Sequence, residues 1–317
     1  MKIAFVAELL NLRGITLATY DYADHNEKIL GNESLIFFNS SYDRHLHTSY
    51  DKTVARFKNV IPFSNHMELH GLLAQHKVDF VYRLSWGHDE SVILQNKTCP
   101  WGIHAVFMHK WVFGDKYAYI SEWLRDTCNL NCDWVPHIIK MPDINEDLRQ
   151  ELNIGRDKIV LGGLGGSTSF DIPFAPVAVI EALNIRPDLY FVFMNIKKFH
   201  EHERCVFLPG TFDVNHKTKF INTCDAMVHA RQRGETFGLS VGEFSARNKR
   251  IITWSGSPER AHIHILGEKA LLYRDDYDLL NILTHINRDN NTDYDCYSKR
   301  FSPEAVMPKF SKVFLDK

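Results

Sequence analysis

Between residues 226 and 253 the chain passes through an apolar run (Ala226, Met227, Val228) and a polar turn holding Arg231, Arg233 and Gly234. It then takes helical spacing (Phe237, Leu239, Val241, Phe244) and returns to an apolar run at 251–253. Strand, loop, helix, strand is the repeating unit of a parallel α/β sheet. The alternation recurs along the chain. Apolar strand runs stand at 2–7, 34–38, 78–83, 100–107, 116–121, 158–164, 189–196, 206–210 and 270–273. Helical patterns stand at 16–30, 66–76, 145–152, 174–183, 213–224 and 276–286, with Asp213 or Asn215 as a cap of the fifth. A last helix opens at Ser302-Pro303 and turns residues 306, 310, 313 and 314 inward. The class is α/β.

At 317 residues two domains are expected. Residues 133–142 carry Pro136 and Pro142 and leave the α/β pattern, so they read as the linker. The formal net charge of −2 provides no global field for nucleic acid or an anionic membrane. The six cysteines form no tight framework and the 17 histidines include no H-E-x-x-H, so a metal site is not expected. Asp275, Asp276 and Asp278 read as a solvated helix start. The apolar run at the amino terminus reads as a first strand and not as a signal peptide, and no window holds eighteen apolar residues. A cytoplasmic location is expected, and on that expectation the sequons at Asn32, Asn39, Asn96 and Asn290 are accidental.

The chemistry concentrates around Glu235 and Glu243, eight residues apart. If the helix begins near Phe237, Glu235 lies at its mouth and Glu243 about 12 Å further on, at 1.5 Å rise per residue. That is the scale of a diphosphate with its two sugars. Free N–H groups of a first helical turn favour an anion, and Gly234 and Gly238 permit close approach. A solvated surface helix with a glutamate near its positive end fits the spacing equally well. A second candidate is the glycine-rich turn at 162–167 after a strand, which suits a phosphate but is neither G-x-G-x-x-G nor a Walker A loop. His104 sits in an apolar strand, where a satisfied core histidine is the commoner outcome, and Trp101 and Trp111 stand nearby. Arg83 closes a strand at the segment 83–87, a place for a ligand contact or a salt bridge.

The fuller string, Arg231-x-x-Gly234-Glu235-x-Phe237-Gly238-Leu239-x-x-x-Glu243-Phe244, resembles the E-x7-E signature of retaining glycosyltransferases of the GT-B fold, family 4. The shortness of the chain is similar to that of compact members encoded by large DNA viruses and some bacteria. The resemblance implies two Rossmann-like domains facing across a cleft. An acceptor-side domain would span 1–138 and a nucleotide-sugar domain 139–301, with a last helix, 302–317, returning to the first.

By the same resemblance Glu235 faces the donor sugar, Phe237, Gly238 and Leu239 offer backbone N–H groups to the phosphates, and Glu243 accepts the ribose hydroxyls. His104, or failing it His109, reaches toward the sugar. Leu208 and Pro209 line the base pocket, Gly165 and Gly166 belong to the phosphate loop, and Asn195 stands at a strand end facing the donor. Arg13, Gly14 and Arg83 fall on the acceptor side. The chain departs from the family at the glycine loop, with Gly163 where Arg is expected and no Lys at 169–172. Arg231, Arg233, Lys197 and Lys198 are the available substitutes.

The implied activity moves a hexose from a nucleoside-diphosphate sugar, GDP-mannose before a UDP-sugar, to a glycan or other hydroxyl acceptor. No tightly bound cofactor and no divalent metal are expected. Two alternatives remain: a degenerate, non-catalytic glycan- or partner-binding protein of this fold, and a nucleotide-sugar 2-epimerase. A Rossmann dehydrogenase is disfavoured because its fingerprint is absent.

Overall fold

A computed structural model describes residues 1–42, 47–86, 89–289 and 291–316. Gly87 at the end of the Arg83 strand and the sequon residue Asn290 lie outside these. The chain divides into two compact units, Met1–Ile138 with Arg300–Lys317, and Ile139–Lys299.

The first unit runs β1 (Lys2–Ala7), α1 (Gly14–Lys28), β2 (Glu33–Asn39), α2 (His47–Arg56), β3 (Asn59–Phe63), α3 (His66–Gln75), β4 (Phe80–Ser85), β5 (Trp101–Ala105), β6 (Lys116–Tyr119), α4 (Glu122–Cys128) and β7 (Asp133–Trp134). Its strands form one parallel sheet in the order β3-β2-β1-β4-β5-β6-β7. The central strands are buried almost throughout and mostly apolar because both faces are covered. α2 and β3 have no counterpart in the sequence reading. β3 holds Pro62 and lies at the sheet edge, the position where a missing ladder donor is tolerated.

The second unit runs β8 (Ile159–Leu164), α5 (Ala175–Ile185), β9 (Leu189–Met194), β10 (Cys205–Leu208), α6 (Val214–Thr223), β11 (Ala226–His229), β12 (Gly234–Glu235), α7 (Leu239–Ala246), β13 (Arg250–Trp254), β14 (Glu259–Arg260), α8 (Ala261–Leu266), β15 (Ala270–Tyr273) and α9 (Asp276–His285). Six strands form a second parallel sheet in the order β10-β9-β8-β11-β13-β15, and β12 pairs with β14 apart from it. Asp213 caps α6 and Asp275 caps α9, whose first turn holds exposed Asp276 and half-buried Asp278, the latter paired with Arg274. The helix expected at 145–152 does not form. Leu148 and Arg149 are held by side chains instead, Leu148 N–H donating to Thr223 Oγ1 and the Arg149 guanidinium pairing with Asp225, and only turns remain.

The carboxyl-terminal segment belongs to the first unit. α10 (Pro303–Phe310) starts at a Ser302 cap and runs into a π turn, Ser311–Leu315. Val306, Phe310, Val313 and Phe314 are buried. Phe310 stacks on Tyr22 with centroids 5.1 Å apart, and Phe314 meets Tyr82 at 5.4 Å and His104 at 5.3 Å. Gly102 in β5 admits that ring: a Cβ there would stand 2.7 Å from Phe314 Cδ1.

Truncating Phe314→Ala leaves a cavity against Tyr82 and His104, and a cost of about 3–5 kcal/mol in chemical denaturation is expected. A melt equal to wild type would detach the last segment from this core.

Candidate functional site

In the second unit the chain goes from β8 outward to β9 and β10, then crosses back to β11 on the other side of β8. Such a reversal opens a crevice at the carboxyl ends of the two central strands, here β8 and β11. The loops leaving these strands are tied together. Asp171 and Ile172 N–H donate to Ala230 O at 3.0 and 3.3 Å, and Gln232 N–H donates to Asp171 Oδ1 at 2.6 Å.

The glycine turn lies on this edge. A Cβ at Gly165 would fall 2.0 Å from Ser169 Oγ, so the turn as packed leaves no room for a side chain unless Ser169 moves. Gly166 is exposed. Asn195, at φ 58°, donates Nδ2–H to Gly165 O at 2.7 Å, and Lys197 N–H donates to Ser167 O at 2.9 Å. Asn195 therefore holds the turn, while the Lys197 side chain is exposed beside it. Lys198 pairs with Glu201. Leu208 and Pro209 stand at the end of β10, half-buried and exposed. Gly163, where the family has Arg, lies inside β8 and not in the turn. A Cβ there would come within 2.5 Å of the Phe193 ring, so the position is filled by packing.

The central stretch is built by two glycines with positive φ. Gly234, at φ +80°, lies so close to β14 that a Cβ would meet Glu259 O at 2.0 Å. This brings β12 into parallel register with β14, Gly234 opposite Glu259 and Glu235 opposite Arg260. Gly238, at φ +90°, is the residue before α7. The helix starts at Leu239, two residues later than its spacing suggested, because Phe237 is an anchor. The Phe237 ring is buried against Tyr297, and its carbonyl accepts the Tyr297 hydroxyl at 3.1 Å. The first intrahelical bond is Gly242 N–H to Gly238 O, so the N–H groups of residues 239–241 precede it.

Glu235 sits just before this helix mouth with its side chain 16% exposed. Arg231 Nη1 donates to Oε2 at 2.9 Å, and His229 Nε2 lies 3.3 Å from Oε1. Burial alone would raise the carboxyl; the His229 hydrogen bond and the Arg231 charge outweigh it and hold the group at about 2. Behind it, His229 Nδ1 lies 2.9 Å from Thr253 Oγ1, which lies 3.0 Å from His262 Nε2. Tyr273 donates its hydroxyl to His229 O at 3.1 Å. Arg233 turns to Glu259 at 2.7 Å, a carboxylate 1% exposed and pushed up by burial. Glu243, one turn into α7, is paired with Lys217 of α6.

The first unit holds the remaining candidates. His104 is wholly buried. Tyr82 Oη lies 2.6 Å from Nδ1 and Val135 O lies 2.8 Å from Nε2, while burial pushes the ring down to about 3. The ring has no exposed atom and both nitrogens are used, so His104 is a core residue, and the sugar-facing role expected of it is corrected to packing. His109 is half-buried in the loop after β5. Trp101 is buried and Trp111 exposed. Arg13 and Gly14 are exposed at the start of α1. Arg83 is 4% exposed, with Nη2 donating to Glu8 at 2.5 Å and Glu90 at 3.0 Å, a buried ion pair.

Of the sequence candidates the structure thus joins Glu235 to Arg231 and Gly165 to Asn195. It sets Glu243 and Arg233 against partners of their own. Sequence reasoning did not single out His229, Thr253, His262, Glu259 or Lys217. His229 alone had a signal, a polar residue closing an apolar strand just before the glutamate stretch. Among the described residues no group of three or more His, Cys, Asp or Glu side chains is arranged to hold a metal ion, and no helix is long and apolar enough to cross a membrane.

No family model matches the chain, and no curated protein matches it. Solved structures do. HepE of Anabaena in complex with UDP-glucose is 15% identical, with 98% of each chain covered and a TM-score of 0.73. Sucrose-phosphate synthase of Thermosynechococcus elongatus is 12% identical, with 98% of each chain covered, at 0.71. WaaG, a glycosyltransferase involved in lipopolysaccharide biosynthesis, is 11% identical, covering 99% of this chain and 100% of its own, at 0.65. The likeness spans both units, and the fold is that of the GT-B glycosyltransferases.

Proposed function

We propose that the chain transfers a hexose from a nucleoside-diphosphate sugar to a hydroxyl acceptor, with the anomeric configuration retained. The observation that carries this is the ionised Glu235 beside the mouth of α7, at the carboxyl edge of the second sheet, in a fold shared with structures such as the UDP-glucose complex of HepE. An ionised carboxylate has about four acceptor positions. Arg231 and His229 occupy two, so sugar hydroxyls have two left. The N–H groups of 239–241 suit the diphosphate, whose growing charge they stabilise as the sugar leaves. Glu243 suits the ribose hydroxyls.

The same pairing bears on mechanism. A carboxylate held at about 2 by two donors is a weak nucleophile. Same-face attack by the acceptor hydroxyl, its proton passing to the departing phosphate oxygen, fits better than a covalent glycosyl intermediate on Glu235. Of the two donor bases considered, guanine and uracil, the neighbour captured with UDP-glucose favours uracil.

Calorimetric titration with UDP, GDP and ADP, without added metal, tests the reading. One nucleotide should bind, and Glu243→Ala should weaken it about tenfold or more, as expected for losing hydrogen bonds to a charged group. No binding of any nucleotide would make the non-catalytic reading of this fold the better one.

The Glu235 pairing has its own pH signature. Its folded value, about 2, lies below the usual 4.5, so its stabilisation is complete above pH 4.5 and lost as the pH falls through about 2. The stability gap between wild type and Glu235→Gln in urea should be constant from pH 7 to 5 and narrow by about 2 kcal/mol at pH 3. A gap independent of pH would mean that Glu235 is not held ionised by its neighbours.

A further inference from the structure

Behind Glu235 lies a row of polar side chains that the proposed reaction does not use. Thr253 and His262 are fully buried and His229 is 4% exposed. They come from three elements, β13, α8 and β11. Parallel pairing sets His229 directly opposite Thr253. His262 follows β14 by two residues, and β14 holds the backbone of Glu235 in register. Thus the short ladder that fixes the Glu235 main chain also delivers the far end of the row.

The hydrogen-bond chemistry gives the row a direction. An ionised Glu235 can only accept, so His229 must carry a proton on Nε2. With the imidazole neutral, Nδ1 is then a bare acceptor, and only the Thr253 hydroxyl faces it. Having donated its one proton, the Thr253 oxygen accepts from His262 Nε2–H. The other neutral tautomer of His229 would set a lone pair against Glu235 Oε1. In this arrangement His262 Nδ1 has no partner within hydrogen-bond geometry, although the Glu235 main chain lies near enough to act on the ring.

Two further features tie this row to Glu235. Threonine is stiff at χ1, so its hydroxyl is an aimed group and not a rotating one. The contact from His229 to Glu235, 3.3 Å, is long and depends on the plane of the imidazole. Without the bond at Nδ1 that plane is set only by packing. We propose that Thr253 and His262 are positioning residues for Glu235: acting through His229, they fix its tautomer and ring plane and so aim the carboxylate. This rests on the glycosyl-transfer reading for its functional consequence, but the tautomer itself does not.

The experiment compares wild type, Thr253→Val and Thr253→Ser. Valine keeps the shape and removes the hydroxyl; serine restores it. Imidazole 15N spectra, with His229 assigned through a His229→Asn variant, should show Nε2 protonated and Nδ1 bare in wild type and serine variant, and a mixture in the valine variant. With the donor identified by calorimetry, kcat should fall roughly 10- to 100-fold in the valine variant. Nucleotide affinity should be unchanged, and serine should restore most of the rate. Identical His229 spectra in all three proteins, or equal kcat in all three, would overturn the proposal. A wild type that turns over no donor would overturn the glycosyl-transfer reading while leaving the spectra to judge the positioning. If Thr253→Val does not fold, His262→Leu, which removes the last donor of the row, is read by the same spectra and rates.

Discussion

A parallel sheet covered on both faces leaves its polar chemistry one place to go. Strand interiors in these two sheets are mostly apolar, with few buried polar residues such as His104 and Thr253, and backbone groups within them are paired along the ladder. Charged side chains therefore collect where strands end. In the first unit Glu8 follows β1 and Arg83 approaches the end of β4, where it pairs with both Glu8 and Glu90. In the second, Asn195, His229, Arg231 and Glu235 all follow or close a strand. The fold supplies the edge; the residues placed on it decide what the edge can bind.

This constraint also explains how much could be read in advance. Runs such as Ile3 to Ala7 and Leu161 to Gly163 are legible because burial on both faces leaves an unbroken apolar signature. The caps at Ser302 and Asp213 are legible because a side chain bonds a residue two or three positions ahead. The same locality exposes Glu235 and Glu243. What could not be read is register. His229 meets Thr253 and Gly234 meets Glu259 only because strands 24 and 25 residues apart align in one way. Apolar periodicity locates strands without saying which residue faces which. β3 was hidden by Pro62, which is permitted there only by its edge position, itself a tertiary fact. His104 shows the same limit from the other side. The sequence places it in a strand, but only the packing of Tyr82, Val135 and Phe314 around it shows that its nitrogens are used.

The half-buried Glu235 is ionised at a cost in hydration that its neighbours offset. Arg231 brings charge, but through an arginine whose side chain is itself 30% exposed. His229 is the deeper contact, and its geometry depends on residues that touch no ligand-facing surface. An edge that must present one carboxylate at a fixed angle is thus supported from below by hydroxyl and imidazole, and from the side by a two-residue ladder. The two supports are joined, since α8 follows directly from β14. Displacing either would move both the main chain and the side chain of Glu235.

The cations on this edge follow a different logic. Gly163 has no room for a side chain such as arginine, because Phe193 fills the space. The charges that could replace it are mostly committed: Arg231 to Glu235, Arg233 to Glu259, Lys217 to Glu243 and Lys198 to Glu201. A diphosphate arriving here would meet paired charges and not a bare cationic cluster. Its attraction would then come from the N–H groups at the start of α7, from exposed Lys197 beside the glycine turn, and from exchange of one of these carboxylates for phosphate. Exchange is easiest where the side chains are most solvated. Lys198, 53% exposed and paired with a Glu201 that is 89% exposed, is the cation most readily released, whereas freeing Arg233 would leave Glu259, 1% exposed, unpaired. Arg231 is held for the same reason, because removing it would leave Glu235 as an underpaired charge. On this edge, then, both arginines serve carboxylates, and the exposed lysines are the less committed cations.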